Sequence, residues 1–123
     1  MKTYVINLAG REYALKYGAK TRRAVEKSLN KGIWSAMRDG MIEDHATLVW
    51  AGIKHLDEDL DVDDVLDLID AHNEDGGDFY ADVFRPVVAR AILESKLLGK
   101  IDPKAVDKIA GTPEELQNPV VPQ

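Results

Sequence analysis

The stretch DEDLDVDDVLDLID, Asp57 to Asp70, sets eight carboxylates into fourteen residues with no lysine or arginine among them. Carboxylates at this density suit a hard cation, and calcium is the first chemistry to weigh. An EF-hand loop needs oxygen ligands at positions 1, 3 and 5, glycine at 6 and a bidentate glutamate at 12. Counted from Asp57, the first three positions hold Asp57, Asp59 and Asp61, but Val62 stands sixth and Leu68 twelfth. Counted from Asp59, those two places fall to Asp64 and Asp70. Neither frame turns sharply where a metal requires it, and no metal ligand is assigned.

A helix start explains part of the same stretch. Asp61 suits an N-cap, and Asp63 and Asp64 lie in the first turn, where the helix dipole favours negative charge by roughly 0.3–1 kcal/mol each. Asp67 and Asp70 lie beyond that turn. With Asp57, Glu58 and Asp59 they form a surplus that a partner surface would explain.

Other chemistry finds little support. His45, His55 and His72 are widely spaced, without an HExxH pattern or a cysteine companion, and read as histidines of helix surfaces or helix ends. Ser28 and Ser35 have no base near them in a recognisable motif. EDGGD reads as a turn between helices and not as a phosphate loop. No catalytic residue or cofactor is expected, and the chain does not read as an enzyme.

Hydrophobic spacing gives the elements that would hold these side chains. Tyr4, Ile6 and Leu8 alternate with polar or outward residues, as do Tyr13, Leu15 and Tyr17, which predicts an antiparallel hairpin over about 3–17. A Gly10-Arg11 loop would pair Leu8 with Tyr13, Ile6 with Leu15 and Tyr4 with Tyr17. An Ala9-Gly10 loop would shift the pairs and keep the same apolar face. An isolated hairpin is marginal in water, so helices must cover that face.

Those helices are predicted over about 20–110. The first begins at KTRRAVEKSL with Thr21 as N-cap and breaks at Asn30 to Gly32, and a short helix spans Ile33 to Arg38. Next comes a helix capped by Asp44 with Leu48, Val49, Gly52, Ile53 and Leu56 on one face. Asp61 starts another, with a Val62, Val65, Leu66, Ile69 stripe. In DFYADVFRPVVARAILESKLLG, the residues Tyr80, Val83, Phe84, Val87, Val88, Ala91 and Ile92 keep α-helical spacing. That stripe crosses Pro86 in phase and predicts one helix kinked there, with Gly99 as its stop. A last helix runs through DPKAVDKIA from an Asp102 cap. The whole reads as one α+β domain over 1–110, a hairpin against about four to five helices, with 111–123 as a flexible tail.

Composition agrees with a folded globule: 123 residues, 45% hydrophobic, a formal net charge of −6 and no cysteine. Disulfides are thereby excluded, an intracellular setting is the plain expectation, and no stretch is long and apolar enough to span a membrane. The charge is uneven. Residues 1–40 carry nine Lys/Arg against Glu12, Glu26 and Asp39, while 57–82 carry twelve acids and no Lys or Arg. The acidic balance argues against nucleic acid as the main partner, and the opposed patches permit self-association.

In order along the chain, YVINLAGREYALKYGAK, TRRAVEKSL, LVWAGIKHLDEDLDVDDVLDLIDAH, the NEDGGD turn with GGDF, and a long terminal helix resemble the small tail assembly chaperones of long-tailed bacteriophages and prophages. The likeness covers about residues 3–98 and rests on the order of segments. It implies a non-enzymatic protein of the host cytoplasm, absent from the finished virion. Such a protein binds the tape measure protein and helps tail tube subunits assemble around it. It also implies that a longer frameshifted form can arise near ELQNPVVPQ. The family supplies no residue-level binding motif. From their chemistry, Trp34, Met37 and Met41 are candidate partner contacts, with the alternative that they close the core over the hairpin. Asp57, Asp59, Asp67 and Asp70 are the acidic candidates. Competing expectations are a structural or adaptor protein of a phage particle and an acidic regulator of a basic protein.

Overall fold

Positive φ angles in succession, at Ala9 (53°) and Gly10 (79°), turn strand β1 (Tyr4–Leu8) into β2 (Arg11–Leu15). The loop is therefore Ala9-Gly10 and not Gly10-Arg11, and the pairs are Tyr4↔Leu15, Ile6↔Tyr13 and Leu8↔Arg11. Two left-handed central residues give the twist that a right-twisted strand pair favours. The apolar face survives the shift: Ile6, Leu8 and Leu15 are buried, and Tyr4, Tyr13 and Tyr17 pack against the core. Alanine is strained at such a φ, whereas Asn-Gly is the preferred pair there. Ala9→Asn is expected to add roughly 0.5–1 kcal/mol of stability by urea denaturation.

This computed structural model describes residues 3–57 and 59–111. Helix α1 (Ala19–Leu29) starts two residues ahead of Thr21, which is not the N-cap. Gly18 holds that position, and Thr21 Oγ1 accepts the Gly18 N–H (3.3 Å). The helix ends on Asn30 in a left-handed conformation, φ 55°, at the predicted break. Helix α2 (Ile33–Asp39) follows, its first N–H donated by Ile33 to Glu26 Oε2 (2.9 Å).

Helix α3 (Ile42–Ile53) is capped at Met41 and not at Asp44. Asp44 lies one turn in, where its Oδ2 accepts the Met41 N–H (2.8 Å) and a bond from Lys31 Nζ (3.1 Å). The chain then tightens into a 3₁₀ turn, Lys54–Leu56, which rotates Leu56 off the predicted stripe and into solvent. Helix α3 is the hub of the fold. Nearly every residue from Asp44 to Ile53 is buried, and α3 touches β2, α1, α2, the 3₁₀ turn and the helical segments Val62–Glu74 and Phe79–Ala89.

Helix α4 (Val62–Glu74) begins as predicted. Asp61 Oδ1 accepts the Asp64 N–H (2.8 Å) and Asp64 Oδ2 accepts the Asp61 N–H (3.0 Å), a reciprocal cap. After the Asp75–Asp78 turn, Phe79–Ala89 winds as a π-helix that continues as α5 (Arg90–Glu94). One helix does pass through Pro86, but the predicted α-helical phase is wrong at its start. Phe79 is buried and Tyr80 faces outward, because π winding spaces the inner residues wider: Phe79, Val83, Phe84, Val88, Ile92. Pro86 lacks the N–H that α winding would bond to Asp82, and the wider turn carries the chain past it.

The helix stops at Glu94, short of Gly99, and Lys96 turns the chain with a left-handed φ of 66°. Helix α6 (Pro103–Ala110) starts from the Asp102 cap, whose Oδ1 accepts the Lys104 N–H (2.9 Å). Arg90 clasps its far end through Asp107 (3.2 Å) and the Gly111 carbonyl, so Gly111 belongs to the packed body. The remainder of the predicted tail, 112–123, lies outside the described residues. Among the described residues the fold is thus α+β, an N-terminal hairpin packed on six helices. His72 ties its corners: Nδ1 accepts the Ala9 N–H (3.5 Å) and Nε2 donates to Asp82 Oδ2 (3.2 Å).

Candidate partner-binding surface

The three apolar candidates do not form one surface. Met37, on the inner face of α2, is 5% exposed and belongs to the core. Trp34 is half-buried and packs against that core. Met41 alone projects, 78% exposed, from the cap of α3. The correction has a simple cause: α2 makes fewer than two and a half turns, too short to show a second apolar stripe once Ile33, Ala36 and Met37 face inward. Exposed apolar side chains are Val5, Met41, Ile42, Leu56 and Tyr80 among the described residues; of these, Met41 and Ile42 open α3 just ahead of His45, and Tyr80 bonds to it.

His45 stands at a helix end, one of the two positions read for it, but it is buried there. It is 8% exposed in the first turn of α3, with Nδ1 2.7 Å from the Tyr80 hydroxyl and its ring 4.4 Å from that of Phe84. Its Nε2 is buried without a hydrogen bond of good geometry. Burial lowers the imidazole pKa, and the Met37 carbonyl, the Asp44 carboxylate and the Ala36 carbonyl offset this only in part. The one sequence signal was HATLVWA, a histidine flush against an apolar run.

This burial has a pH consequence. A histidine whose folded pKa is depressed binds fewer protons folded than unfolded, so its stability is full above the unfolded value of about 6.5 and falls as pH drops toward the folded value. The melting temperature is expected to decline from pH 7 to pH 5, and His45→Gln to flatten that slope. A further loss is expected below about pH 4. There Asp44, favoured as a carboxylate by the Met41 N–H and Lys31 despite its burial, takes up a proton.

The acidic candidates divide. Asp57 is committed to the backbone: its Oδ1 accepts the Asp59 N–H (3.0 Å), and its carbonyl accepts the Leu60 N–H (3.2 Å). Trp50 closes this loop by donating Nε1–H to the Leu60 carbonyl (2.7 Å), with Lys54 Nζ 4.9 Å above its ring. Asp59 is exposed on the same loop, and Glu58 lies outside the described residues. Asp61 and Asp64 serve the α4 cap. Among the described residues, no three His, Asp or Glu side chains gather closely enough to hold a metal ion.

Asp67 and Asp70 are brought together with Asp63, read from sequence only as part of the helix start, and with Glu74, not singled out there. Asp63, Asp67, Asp70 and Glu74 follow at i, i+4, i+7 and i+11 on the solvent face of α4, opposite buried Val65 and Ile69. None of the four has a cationic partner among the described residues. Like charges so spaced destabilise a helix by roughly 0.2–0.5 kcal/mol per pair. Asp67→Lys turns two repulsions into attractions and is expected to raise stability by roughly 0.5–1 kcal/mol in thermal or urea melts. Such a row suits a cationic partner surface.

No protein-family model, no curated protein and no solved structure matches this chain. Among the described residues, no helix is long and apolar enough to cross a membrane.

Proposed function

We propose that this chain is a non-enzymatic tail assembly chaperone of a long-tailed phage or prophage. In this reading it acts in the bacterial cytoplasm, binds the tape measure protein and aids tail tube assembly around it. The observation that carries the reading is the carboxylate row of α4, which has no cationic partner among the described residues and lies within LVWAGIKHLDEDLDVDDVLDLIDAH and the start of NEDGGD, two of the segments on which the resemblance rests. A long, helix-rich partner awaiting its tube exposes apolar and charged surface. A helper needs charge to keep such a complex soluble and a small apolar contact to grip it. Met41, Ile42 and Tyr80 supply the second of these, and Asp59, Asp67 and Asp70 contribute to the first.

Mass spectrometry of purified virions separates this role from that of a particle component. Tape measure and tube peptides are expected in the mature particle, with peptides of this chain absent or far below stoichiometric amount. Stoichiometric retention would transfer the chain to the structural or adaptor class. Gene order offers a second check, with a tape measure gene expected just downstream.

A further inference from the structure

A second charged surface, of opposite sign, lies away from α4. Two open clefts of about 620 and 610 Å³ meet at the turn after α5 and share Lys96. The first runs between α1 and Leu97, and the second between the hairpin end at Leu15–Tyr17 and the last turn of α5. Lys16, Arg23, Lys27 and Lys96 edge this furrow, and none has an ion-pair partner among the described residues. Both acids along it are engaged. Glu26 meets Arg22 (3.4 Å) and the Ile33 N–H, and Glu94 accepts the Tyr4 hydroxyl (2.6 Å), whose pKa burial and this carboxylate push up to about 12.

Lys96, common to both clefts, also occupies a strained backbone position, as Ala9 does in the hairpin turn. It holds a left-handed φ of 66° at a helix end, where glycine or asparagine is the favoured residue. Strain at a residue that lines both clefts makes Lys96→Gly an informative substitution.

We infer that this furrow is the docking surface for an acidic, partly apolar peptide segment of a protein partner. Four unpaired cations ask for carboxylates, and the floor of Ala19, Leu97, Leu15 and Ala91 accepts apolar side chains between them. The clefts are open along their length, whereas a small ligand requires enclosure. Nucleic acid is disfavoured by the net charge of −6 and by the acidic row of α4. The inference rests on the binding-protein reading only for the existence of a protein partner.

Fluorescence anisotropy of a labelled oligo-glutamate peptide with interspersed leucines tests it on the full chain. Binding is expected at low salt and is expected to weaken as salt rises. The triple variant Arg23→Glu/Lys27→Glu/Lys96→Glu is expected to lose at least about tenfold in affinity. Lys100→Glu/Lys104→Glu/Lys108→Glu, with the same change in net charge, is expected to bind as the parent does. Lys96→Gly is expected to melt higher and bind more weakly, a pairing that a merely structural lysine would not give. Equal loss in both triple variants, no peptide binding, tighter binding of a single-stranded oligonucleotide, or self-association blocked by the furrow variant would each overturn the inference. If a tape measure fragment is still solubilised while the peptide is ignored, the furrow assignment fails alone.

Discussion

Phe79→Ala is expected to remove about 3–5 kcal/mol of folding stability, and Tyr80→Ala, one residue later, only about 1–2 kcal/mol. Phe79 is 1% exposed in the core, with rings of Tyr80 and Phe84 at 5.1 and 5.9 Å. Tyr80 keeps much of its ring in solvent and loses chiefly its hydroxyl bond to His45. Small domains are stable by only about 5–15 kcal/mol, so the Phe79 variant would approach the threshold for folding. Urea denaturation of both variants reads the register of the π-helix directly. An α-helical winding, as the spacing of apolar residues predicts, would reverse the order.

Gly40→Ala is expected to cost about 3 kcal/mol or more, for a reason outside the apolar core. A Cβ on Gly40 would overlap the Ala36 carbonyl oxygen and would lie 2.7 Å from Asp44 Cβ and 2.8 Å from Asp44 Oδ2. That same oxygen holds the Met41 N–H and Lys31, and Asp44 is only 6% exposed. Alanine would therefore push apart the joint between α2 and α3 and leave a buried carboxylate poorly partnered. Asp44→Asn, which keeps the shape and removes the charge, is expected to cost less, about 1–3 kcal/mol. Thermal melts of the two variants side by side test whether close approach or charge dominates.

The fold was largely legible in the sequence because period-2 and helical spacing report burial directly. The hairpin face, the Asn30–Gly32 break, the Asp61 and Asp102 caps and the Val65/Ile69 stripe follow from that reading. Three features escaped it for identifiable reasons. The hairpin register depends on whether alanine tolerates a left-handed φ, which the face pattern does not report. Thr21 and Asp44 have cap chemistry, but each accepts the N–H of the N-cap three residues back, Gly18 or Met41, and is not itself the N-cap. The π winding keeps apolar residues inward at a spacing close enough to α-helical that the phase slips without leaving the pattern.

The candidate surface was less legible. Trp34, Met37 and Met41 have one chemistry and three environments, since only tertiary packing decides which face of a short helix is spent on the core. The acidic run was visible, yet its division into backbone caps (Asp57, Asp61, Asp64) and an unpartnered row (Asp63, Asp67, Asp70, Glu74) needed the hydrogen bonds. His45 was hidden because histidine is read as polar and its burial depends on Tyr80 and Phe84, far along the chain.

Co-expression with a tape measure fragment that is insoluble alone bears most directly on the assembly-helper role. The fragment is expected to move into the soluble fraction and to co-elute with this chain through size exclusion. It is expected to return to the pellet when Met41→Asp and Asp67→Lys/Asp70→Lys are combined in a chain that still melts cooperatively. A fragment equally insoluble with and without the chain would contradict that role.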